Sequence, residues 1–221
     1  MDAERLLDRE ILARIGTRVR NRLDAAPAVR RLPDDRAEIY TLDNFLHADC
    51  CRHLIDLIDA EAQPSALVDD SDNTQIRTSC SSDIDPEDSV VRRLDARLCA
   101  LTGLSGQRSE AAQGQRYESG QFFAEHCDWF DTSAEYWQRE KNCGGQRSWT
   151  AMIYLNAVDE GGATEFTRLS LRIRPKLGGL LLWNNALPDG RPNPYTLHAA
   201  RPVVRGTKYI VTKWFRSHTW Q

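Results

Sequence analysis

The segment YESGQFFAEHCDWF, residues 117–130, places an imidazole and a carboxylate two residues apart, at His126 and Asp128. If residues 122–128 are extended, both side chains project from one face, because side chains alternate along a strand. The two groups can then bind one metal ion from adjacent positions. The ordinary alternative for a lone His-x-Asp pair is a chance pairing on a strand or a surface ion pair.

A third metal ligand must come from elsewhere in a chain that contains five histidines. His47, His53 and His218 lie in helical or terminal contexts, whereas His198 lies within the strand-like segment TLHAARPV. His198 is therefore the best candidate for the third ligand. Two histidines and one carboxylate on one side of an octahedron leave three positions open, which is the arrangement of non-haem Fe(II) sites. A zinc site would usually be tetrahedral and often richer in Cys or His.

The segment GTKYIVTKWF reads as a strand with a lysine on an otherwise mostly apolar face. A buried cation needs an anionic partner, and a dicarboxylate cosubstrate would supply one. The ordinary alternative is a solvated lysine near a sheet edge, which is what we expect for Lys213. The face in question carries Lys208, Ile210, Thr212 and Trp214.

Other side chains are candidates for lining a pocket around this site. Tyr154, in the strand SWTAMIYLN, could supply a hydroxyl, although an ordinary core tyrosine fits the same pattern. Trp183 and Trp214 could also line the pocket, but strand tryptophans are more often core residues. The segment 131–147 is long for a hairpin loop and ends near Gly-Gly, so we hypothesise a lid over substrate; a surface insertion is the alternative.

These residues must be positioned by helices followed by short strands. An apolar residue every four positions from Leu7 to Leu23 predicts a first helix. A second helix is expected after Asp43-Asn44 and a third after Asp85-Pro86, with Gly103 ending it. Residues 63–85 look irregular, apart from a possible strand at 76–78. Strands are predicted at 38–42, 111–118, 122–125, 148–155, 164–167, 171–174, 179–183, 196–202 and 208–216. This order predicts a β-sandwich or barrel buttressed by helices.

Composition argues against several functional classes. The net charge of −3 disfavours a general electrostatic grip on nucleic acid. No apolar run reaches the roughly 18 residues that a membrane span requires, and no signal peptide or transit peptide is recognisable. Six scattered cysteines without a C-x-x-C pair are typical of reduced thiols. We therefore expect a cytoplasmic protein that does not associate with membranes.

Several motifs in order resemble the prolyl 4-hydroxylase family of Fe(II)- and 2-oxoglutarate-dependent dioxygenases. They are YxxGQ-F-x-x-HxDxF, WT-x-x-IYLN followed by GG-x-T-x-F, PKLG, LLWNN and LHAARPVVRGTKYIVTKWFR, with RTS at Arg77–Ser79 ahead of them. The resemblance covers roughly residues 75–216. It implies an α+β chain with a mainly β core, a double-stranded β-helix (a cupin-like jelly roll) buttressed by N-terminal helices.

The resemblance also implies roles for individual residues. Fe(II) would be bound by the two histidines and the aspartate, and Lys208 would pair with the distal carboxylate of 2-oxoglutarate. Tyr117 and Tyr154 match tyrosines that hydrogen-bond this cosubstrate, and ascorbate would act as the reductant. Arg77 and Trp214 are weaker candidates for contacting substrate. Phe123 departs from the family, because many members carry a second tyrosine there, and this departure bears on prolyl specificity.

On this basis residues 1–35 would form a helical extension and residues 36–221 the dioxygenase domain, with helical support over 36–105 and the jelly roll over 106–221. The expected reaction uses O2 to hydroxylate a prolyl residue of a protein or peptide, releasing succinate and CO2. Three alternatives stay open: hydroxylation of another side chain or a small molecule, a non-enzymatic metal-binding or oxygen-sensing jelly roll, and, more remotely, a nucleic-acid demethylase.

Overall fold

The computed structural model describes residues 3–65 and 76–221, with side chains described from residue 8 onward. Four α-helices lie in these ranges: α1 (Ala3–Asp24), α2 (Ala48–Glu61), α3 (Ser89–Thr102) and α4 (Trp137–Asn142). No helix within the described ranges is both long enough and apolar enough to cross a bilayer.

Two antiparallel sheets form the core of the molecule. The larger sheet has the order β1-β2-β11-β7-β14-β5-β4-β3, and the smaller has the order β10-β9-β12-β6, while β8 pairs with β13. The strands are β1 (Arg30–Arg31), β2 (Ile39–Leu42), β3 (Gln63–Pro64), β4 (Cys80–Ile84), β5 (Ala112–Tyr117), β6 (Phe123–His126), β7 (Arg147–Tyr154), β8 (Glu160–Gly161), β9 (Thr164–Phe166), β10 (Leu171–Ile173), β11 (Leu180–Asn184), β12 (His198–Ala200), β13 (Val203–Arg205) and β14 (Lys208–Arg216).

This arrangement confirms the predicted double-stranded β-helix with helical support. One apolar cluster fills the space between the larger sheet and the helices, and it includes Val19, Leu54 and Leu94. A second apolar cluster, including Met152 and Phe166, belongs to the faces that enclose the site described below. Because side chains alternate along each strand, one face of a strand packs into the first cluster and the other face belongs to the second cluster.

The N-terminal helix is part of this packing. Alternate turns of α1 bury Leu12, Val19 and Leu23, and the helix contacts both β7 and α3. Arg20 of the same helix forms an ion pair with Glu38, just ahead of β2. The apolar period seen in the sequence therefore marks a face that lies on the larger sheet.

The boundaries of α3 follow from its caps. The Asp88 carboxylate accepts hydrogen bonds from the backbone N–H groups of Val90 and Val91, which would otherwise be unsatisfied in the first turn. Gly103 ends the helix in the left-handed region, with φ of 71°, as its position in the sequence predicted.

Three local predictions were wrong. Residues 80–84 form β4 within the larger sheet rather than an irregular segment, because backbone pairing with β5 outweighs the polar sequence CSSDI. Residues 76–78 contribute only an isolated bridge from Arg77 to Phe123. The second helix begins at Ala48, since Asn44 adopts a positive φ of 55° that interrupts any earlier start.

Lys213 is also a correction, because it is not a solvated lysine. Its side chain is only 4% exposed, and Nζ lies 3.0 Å from a carboxylate oxygen of Asp95 on α3. Since β14 is a central strand covered by α3, a lysine on that face is buried and needs this partner.

Candidate active site

Two strands of the smaller sheet bring the candidate metal ligands together. His198 on β12 lies directly opposite His126 on β6 in the antiparallel register. Asp128 lies two residues beyond the last pairing of β6, in a bend rather than in the strand that we expected. One ligand atom from each of the three residues lies within 4.8 Å of the others. The sequence-predicted set is therefore assembled at one point.

Hydrogen bonds orient each of these side chains. Nδ1 of His126 lies 2.9 Å from the Ala124 carbonyl oxygen, and Nδ1 of His198 lies 2.9 Å from that of Thr196. Because a carbonyl can only accept, each Nδ1 carries the proton and each Nε2 keeps a free lone pair for a metal.

The carboxylate of Asp128 is held in a similar way. The Thr150 hydroxyl, on β7, donates to Oδ2 of Asp128 at 2.6 Å, and the Asn185 side-chain amide donates to that hydroxyl at 3.0 Å. Both Asp128 and Asn185 are buried. This chain of donors leaves the other carboxylate oxygen available as a ligand. Sequence inspection had not identified Thr150 or Asn185, since neither belongs to a local motif with the aspartate.

The electrostatic environment favours the metal-binding protonation states of His126 and Asp128. Burial, with the nearby His198, lowers the pKa of His126 to about 3, so its imidazole is neutral at physiological pH. Burial alone would raise the pKa of Asp128, but the two histidines, Arg147 and the Thr150 hydrogen bond together lower it. Asp128 therefore presents a carboxylate, and His126 presents a neutral nitrogen.

Aromatic rings pack around the histidines. Phe123 stacks on His126, with ring centroids 3.6 Å apart and planes 15° apart, and the Arg77 guanidinium lies 4.8 Å from the Phe123 centroid. Trp183 meets the His198 ring edge-on at 4.9 Å. The phenyl ring at position 123 thus fixes the orientation of an imidazole, a role that requires no hydroxyl.

Lys208 opens β14 and points into the same interior. Lys208 is only 1% exposed, and its Nζ has no hydrogen-bond partner within residues 3–65 and 76–221. Nζ lies 5.1 Å from the ring centroid of Tyr117 and 5.7 Å from that of Tyr154. Burial lowers the pKa of Lys208 to about 7. A buried amine in this environment is a site for a carboxylate that none of the described residues supplies.

The two tyrosines beside Lys208 already have hydrogen-bond partners. The Tyr117 hydroxyl donates to Oε1 of Gln115 at 2.7 Å, and the Tyr154 hydroxyl donates to the Thr164 hydroxyl at 2.8 Å. Burial raises the pKa of both phenols, so both remain protonated donors. Their predicted role toward a cosubstrate stays a prediction.

A cavity of about 310 Å³ joins most of these features. The ligand trio, Lys208 and the other predicted residues of its strand face all line it, as do both weaker substrate candidates, Arg77 and Trp214. Tyr154, which we expected to line the pocket, is not among the lining residues. The wall also includes Ile76, Gln113, Gln115, Tyr117, Phe123, Cys127, Trp129, Phe130, Tyr136, Arg147, Met152, Thr164, Trp183 and Ala200. Trp183 is thus both a core residue and a wall of the cavity.

One cationic wall of the cavity was not foreseen from the sequence. Arg147 forms a two-point ion pair with Glu110, both N–O distances being 2.7 Å, and its guanidinium lies 3.9 Å from the Trp214 ring centroid. Arg216 joins the same network through Glu110, with an N–O distance of 3.2 Å, and it also pairs with Glu140 at 2.6 Å. These groups are far apart in sequence, so no spacing pattern could reveal them.

The segment 131–147 lies beside the cavity mouth. It contains α4, and Tyr136 lines the cavity while its hydroxyl accepts a hydrogen bond from the Asp131 backbone N–H at 3.1 Å. The segment is anchored by the Glu140–Arg216 ion pair and by Gln146, which bonds the backbone of Phe130 twice. Whether it opens and closes as a lid stays a prediction.

Comparison with known proteins agrees with this geometry. The family profile described as the 2OG-Fe(II) oxygenase superfamily matches residues 112–216. Probable prolyl 4-hydroxylase 10 from Arabidopsis thaliana is 32% identical over 212 residues, covering 85% of this chain and 71% of the plant protein. This chain belongs to the prolyl 4-hydroxylase family. Prolyl 4-hydroxylase 5 of the same plant is also 32% identical, and its alignment covers 84% of this chain and 69% of the plant protein.

Solved structures of family members share the fold. The viral collagen prolyl hydroxylase of Paramecium Bursaria Chlorella virus-1, solved as its 2OG complex, aligns with a TM-score of 0.64 at 27% identity. The alignment covers 80% of this chain and 95% of the viral protein. A prolyl-4-hydroxylase from Pseudomonas putida aligns with a TM-score of 0.60 at 21% identity, and the alignment covers 91% of this chain and 98% of the bacterial chain. At this identity the likeness is one of fold alone.

The residues present fit the iron and the 2-oxoglutarate that this family uses. Two imidazoles and one carboxylate, whose ligand atoms lie within 4.8 Å of one another, are the donor set that suits Fe(II). The ammonium of Lys208, which has no hydrogen-bond partner among the described residues, lies in the same cavity and suits the far carboxylate of a dicarboxylic acid. Fe(II) and 2-oxoglutarate are therefore consistent with this cavity as well as with the family.

Proposed function

We propose that this protein is a prolyl hydroxylase that uses Fe(II), 2-oxoglutarate and O2 to hydroxylate a prolyl residue of a protein or peptide. The observation that carries the proposal is the buried, unpaired ammonium of Lys208 in the same cavity as the two histidines and the aspartate. A metal-binding or oxygen-sensing jelly roll without catalysis would have no use for that ammonium, because a buried amine without a partner is unfavourable.

In this proposal His126, Asp128 and His198 hold the metal from one side and leave its other side facing the cavity. When bound, Fe(II) with 2-oxoglutarate and O2 supplies the oxidising chemistry that inserts oxygen into a C–H bond and yields succinate and CO2. Thr150 and the two backbone carbonyls keep the ligand atoms in place, so the site needs little rearrangement on binding.

Lys208 anchors the far carboxylate of 2-oxoglutarate and thereby fixes its orientation. Tyr117 and Tyr154 flank the ammonium and offer hydroxyl groups after a modest rearrangement of their present hydrogen bonds. Trp183 and Phe166 pack beside His198 and keep water away from it, which strengthens the electrostatic interactions within the cavity.

In the cavity the prolyl peptide contacts Arg77 and Trp214, which both form part of the cavity wall. Arg77 is stacked on Phe123 and hydrogen-bonded to Ser79 at 3.0 Å, so its position is fixed before a peptide arrives. We propose further that ascorbate restores iron oxidised in unproductive cycles and that the protein acts in the cytoplasm. The acidic net charge supports a partner other than nucleic acid.

The experiment that tests this function is mass spectrometry of a cell lysate treated with the enzyme, searching proline-containing peptides for one added oxygen. The proposal predicts oxygen on proline, dependent on Fe(II) and 2-oxoglutarate. Succinate formation without any modified proline would contradict the prolyl assignment while keeping the oxygenase chemistry.

A second candidate is hydroxylation of another side chain or of a small molecule, and Phe123 favours it. The phenyl ring offers no hydroxyl to a substrate where many family members have one. Phe123→Tyr preserves the ring that stacks on His126, so iron binding should be unchanged. A large gain in proline hydroxylation by this variant would indicate that the natural substrate is not a prolyl residue.

A further inference from the structure

A buried glutamine on β5 forms part of the wall of the candidate active site. Gln115 is 5% exposed and lines the cavity. In the register of β5 with β14, Gln115 lies opposite Ile210, and Tyr117 lies opposite Lys208. Because side chains alternate along a strand, Gln113, Gln115 and Tyr117 share the face that lines the cavity. Gln115 is therefore the neighbour, on the same face, of the tyrosine that flanks the ammonium.

Hydrogen bonds fix the orientation of the Gln115 amide. The Arg77 guanidinium donates to Oε1 of Gln113 at 3.3 Å, and a guanidinium can only donate. Gln113 therefore presents its oxygen, to which Nε2 of Gln115 donates at 3.1 Å. Nε2 also donates to the Thr212 hydroxyl at 3.4 Å, so both N–H groups of Gln115 are used. Its Oε1 is left for Tyr117, whose hydroxyl donates to it at 2.7 Å.

These hydrogen bonds form one chain between a proposed peptide contact and a proposed cosubstrate contact. The chain begins at Arg77, passes through Gln113 and Gln115, and ends at Tyr117. Oε1 of Gln113 accepts from both of its neighbours, so a weaker bond from Gln115 strengthens the bond from Arg77. A change in the partner of Tyr117 therefore alters the environment of Arg77.

The Tyr117 hydroxyl has one proton to share between Gln115 and a cosubstrate. Burial raises the pKa of Tyr117, so the phenol keeps that proton at physiological pH. Ionised 2-oxoglutarate has acceptor oxygens and no hydrogen-bond donor, so it cannot replace the tyrosine as the donor to Gln115. When Tyr117 turns to the cosubstrate, one hydrogen bond is gained and one is lost, and the buried oxygen of Gln115 needs a new donor.

We propose that Gln115 is a positioning residue that acts through Tyr117. It holds the tyrosine hydroxyl before 2-oxoglutarate binds, lowers the affinity for 2-oxoglutarate by the strength of that hydrogen bond, and transmits the exchange through Gln113 to Arg77. This inference rests on the proposed function, in which Tyr117 offers its hydroxyl to the cosubstrate. It adds a residue that sets cosubstrate affinity without touching the cosubstrate.

Calorimetry of 2-oxoglutarate binding to the full chain loaded with Zn(II), which has no redox chemistry, tests this proposal. Gln115→Leu removes the competing acceptor and keeps a side chain of similar size. It should bind 2-oxoglutarate about 3- to 10-fold more tightly than the wild type, which is the range expected for one hydrogen bond. Gln138→Leu, at an exposed position of α4 outside the cavity wall, should bind like the wild type.

A double-mutant cycle separates positioning from packing. If Gln115 acts through the tyrosine hydroxyl, Gln115→Leu should leave the affinity for 2-oxoglutarate unchanged in a Tyr117→Phe background. An effect of packing would persist in that background. Unchanged or weaker binding by the single variant Gln115→Leu, or a gain of the same size with and without the Tyr117 hydroxyl, would overturn the proposal.

NMR of the Zn(II)-loaded wild type provides a second measurement that needs no variant at position 115. Addition of 2-oxoglutarate should shift the side-chain amide signals of Gln115 and the Nε–H signal of Arg77, which donates to Ser79 at 3.0 Å. In Tyr117→Phe the Arg77 signal should not respond. A signal of either group that stays fixed in the wild type, or an Arg77 shift that persists in Tyr117→Phe, would contradict the transmission.

The two proposals fail in different ways. If the wild type and Gln115→Leu bind 2-oxoglutarate equally, the role of Gln115 is contradicted and the proposed function stands. If the cycle gives the expected result but no proline gains oxygen in the Fe(II)-loaded enzyme, the role of Gln115 stands and prolyl hydroxylation is contradicted.

Discussion

His198 and His126 lie opposite each other as partners in the antiparallel pairing of β12 with β6, with ring centroids 4.2 Å apart. Because backbone hydrogen bonds of the sheet set this register, the distance between the two imidazoles is fixed by the fold rather than by a flexible loop. The third ligand, Asp128, depends instead on Thr150 of the other sheet. The candidate metal site therefore ties the two sheets together.

Removing the Thr150 hydroxyl should weaken metal binding without removing a ligand. Thr150→Val keeps the side-chain volume but deletes the 2.6 Å hydrogen bond to Asp128 and the acceptor for Asn185. We expect Fe(II) affinity to fall roughly 10- to 100-fold, as is typical when a group that orients a ligand is lost. Anaerobic Fe(II) titration in the presence of 2-oxoglutarate measures this. Thr219→Val, at an exposed position, is the control, and equal affinity in both variants would contradict the role of Thr150.

Replacing Lys208 should separate cosubstrate binding from metal binding. In Lys208→Ala the ammonium that faces the cavity is lost, and the affinity for 2-oxoglutarate should fall roughly 10- to 100-fold, the worth of a charge-assisted contact. Fe(II) affinity in the absence of cosubstrate should change little, since Lys208 belongs to a strand of the other sheet. Lys176→Ala, which removes an exposed lysine, is the matched control. Unchanged 2-oxoglutarate affinity in Lys208→Ala would remove this residue from its proposed role.

The pKa of Lys208 also predicts a pH dependence. Burial lowers this pKa to about 7 from its ordinary value of 10.5, so without cosubstrate the amine loses its proton as the pH rises through about 7. Binding of a dicarboxylate requires the ammonium, so 2-oxoglutarate affinity should be greatest below that pH and weaken above it. At pH values between about 7 and 10.5, Lys208 is protonated in the unfolded chain but not in the folded chain. The free energy of unfolding without cosubstrate should therefore rise with pH over this range.

Two measurements check this prediction. Calorimetric titration of 2-oxoglutarate should show proton uptake near neutral pH. Thermal unfolding without cosubstrate should show a stability that rises with pH, whereas the affinity for 2-oxoglutarate falls. Lys208→Met should remove both dependences. A 2-oxoglutarate affinity that stays constant in the wild type as the pH rises above neutrality would contradict the prediction.

The ion pair between Glu140 and Arg216 should control the mobility of the segment 131–147. Glu140→Gln removes a negative charge that pairs with the buried Arg216. We expect the free energy of local unfolding to fall by about 1–3 kcal/mol, mainly at α4. Limited proteolysis should then cut this segment faster than in the wild type, whereas Glu135→Gln, at an exposed position of the same segment, should not change the rate. If the segment is a lid, substrate should slow cleavage; cleavage that substrate does not affect would count against a lid.

The sequence predicted those features that depend on local alternation. His126 and His198, the inward face of Lys208 and most strands follow from the twofold period and the limited number of histidines. Asp128 joins them from a bend after β6, so strand alternation alone does not place it. The strand at 80–84 escaped prediction because its polar residues carry no apolar period, and only pairing with β5 makes it a strand.

Features that depend on distant partners could not be predicted from the sequence. The burial of Lys213 depends on Asp95 from a helix more than a hundred residues earlier. The Thr150 hydrogen bond and the Arg147 network likewise bring together residues from separate elements. Each of these contacts depends on how helices and sheets pack on one another. The spacing of residues along a single element does not encode that packing.

His126, Asp128 and His198 should hold Fe(II) beside 2-oxoglutarate, and an anaerobic absorption spectrum reports whether they do. Addition of Fe(II) and 2-oxoglutarate to the wild-type protein should give a visible metal-to-ligand charge-transfer band. Asp128→Ala should abolish that band, while His218→Ala, which removes a histidine outside the site, should retain it. A band of full intensity in Asp128→Ala would contradict the ligand assignment on which the account depends.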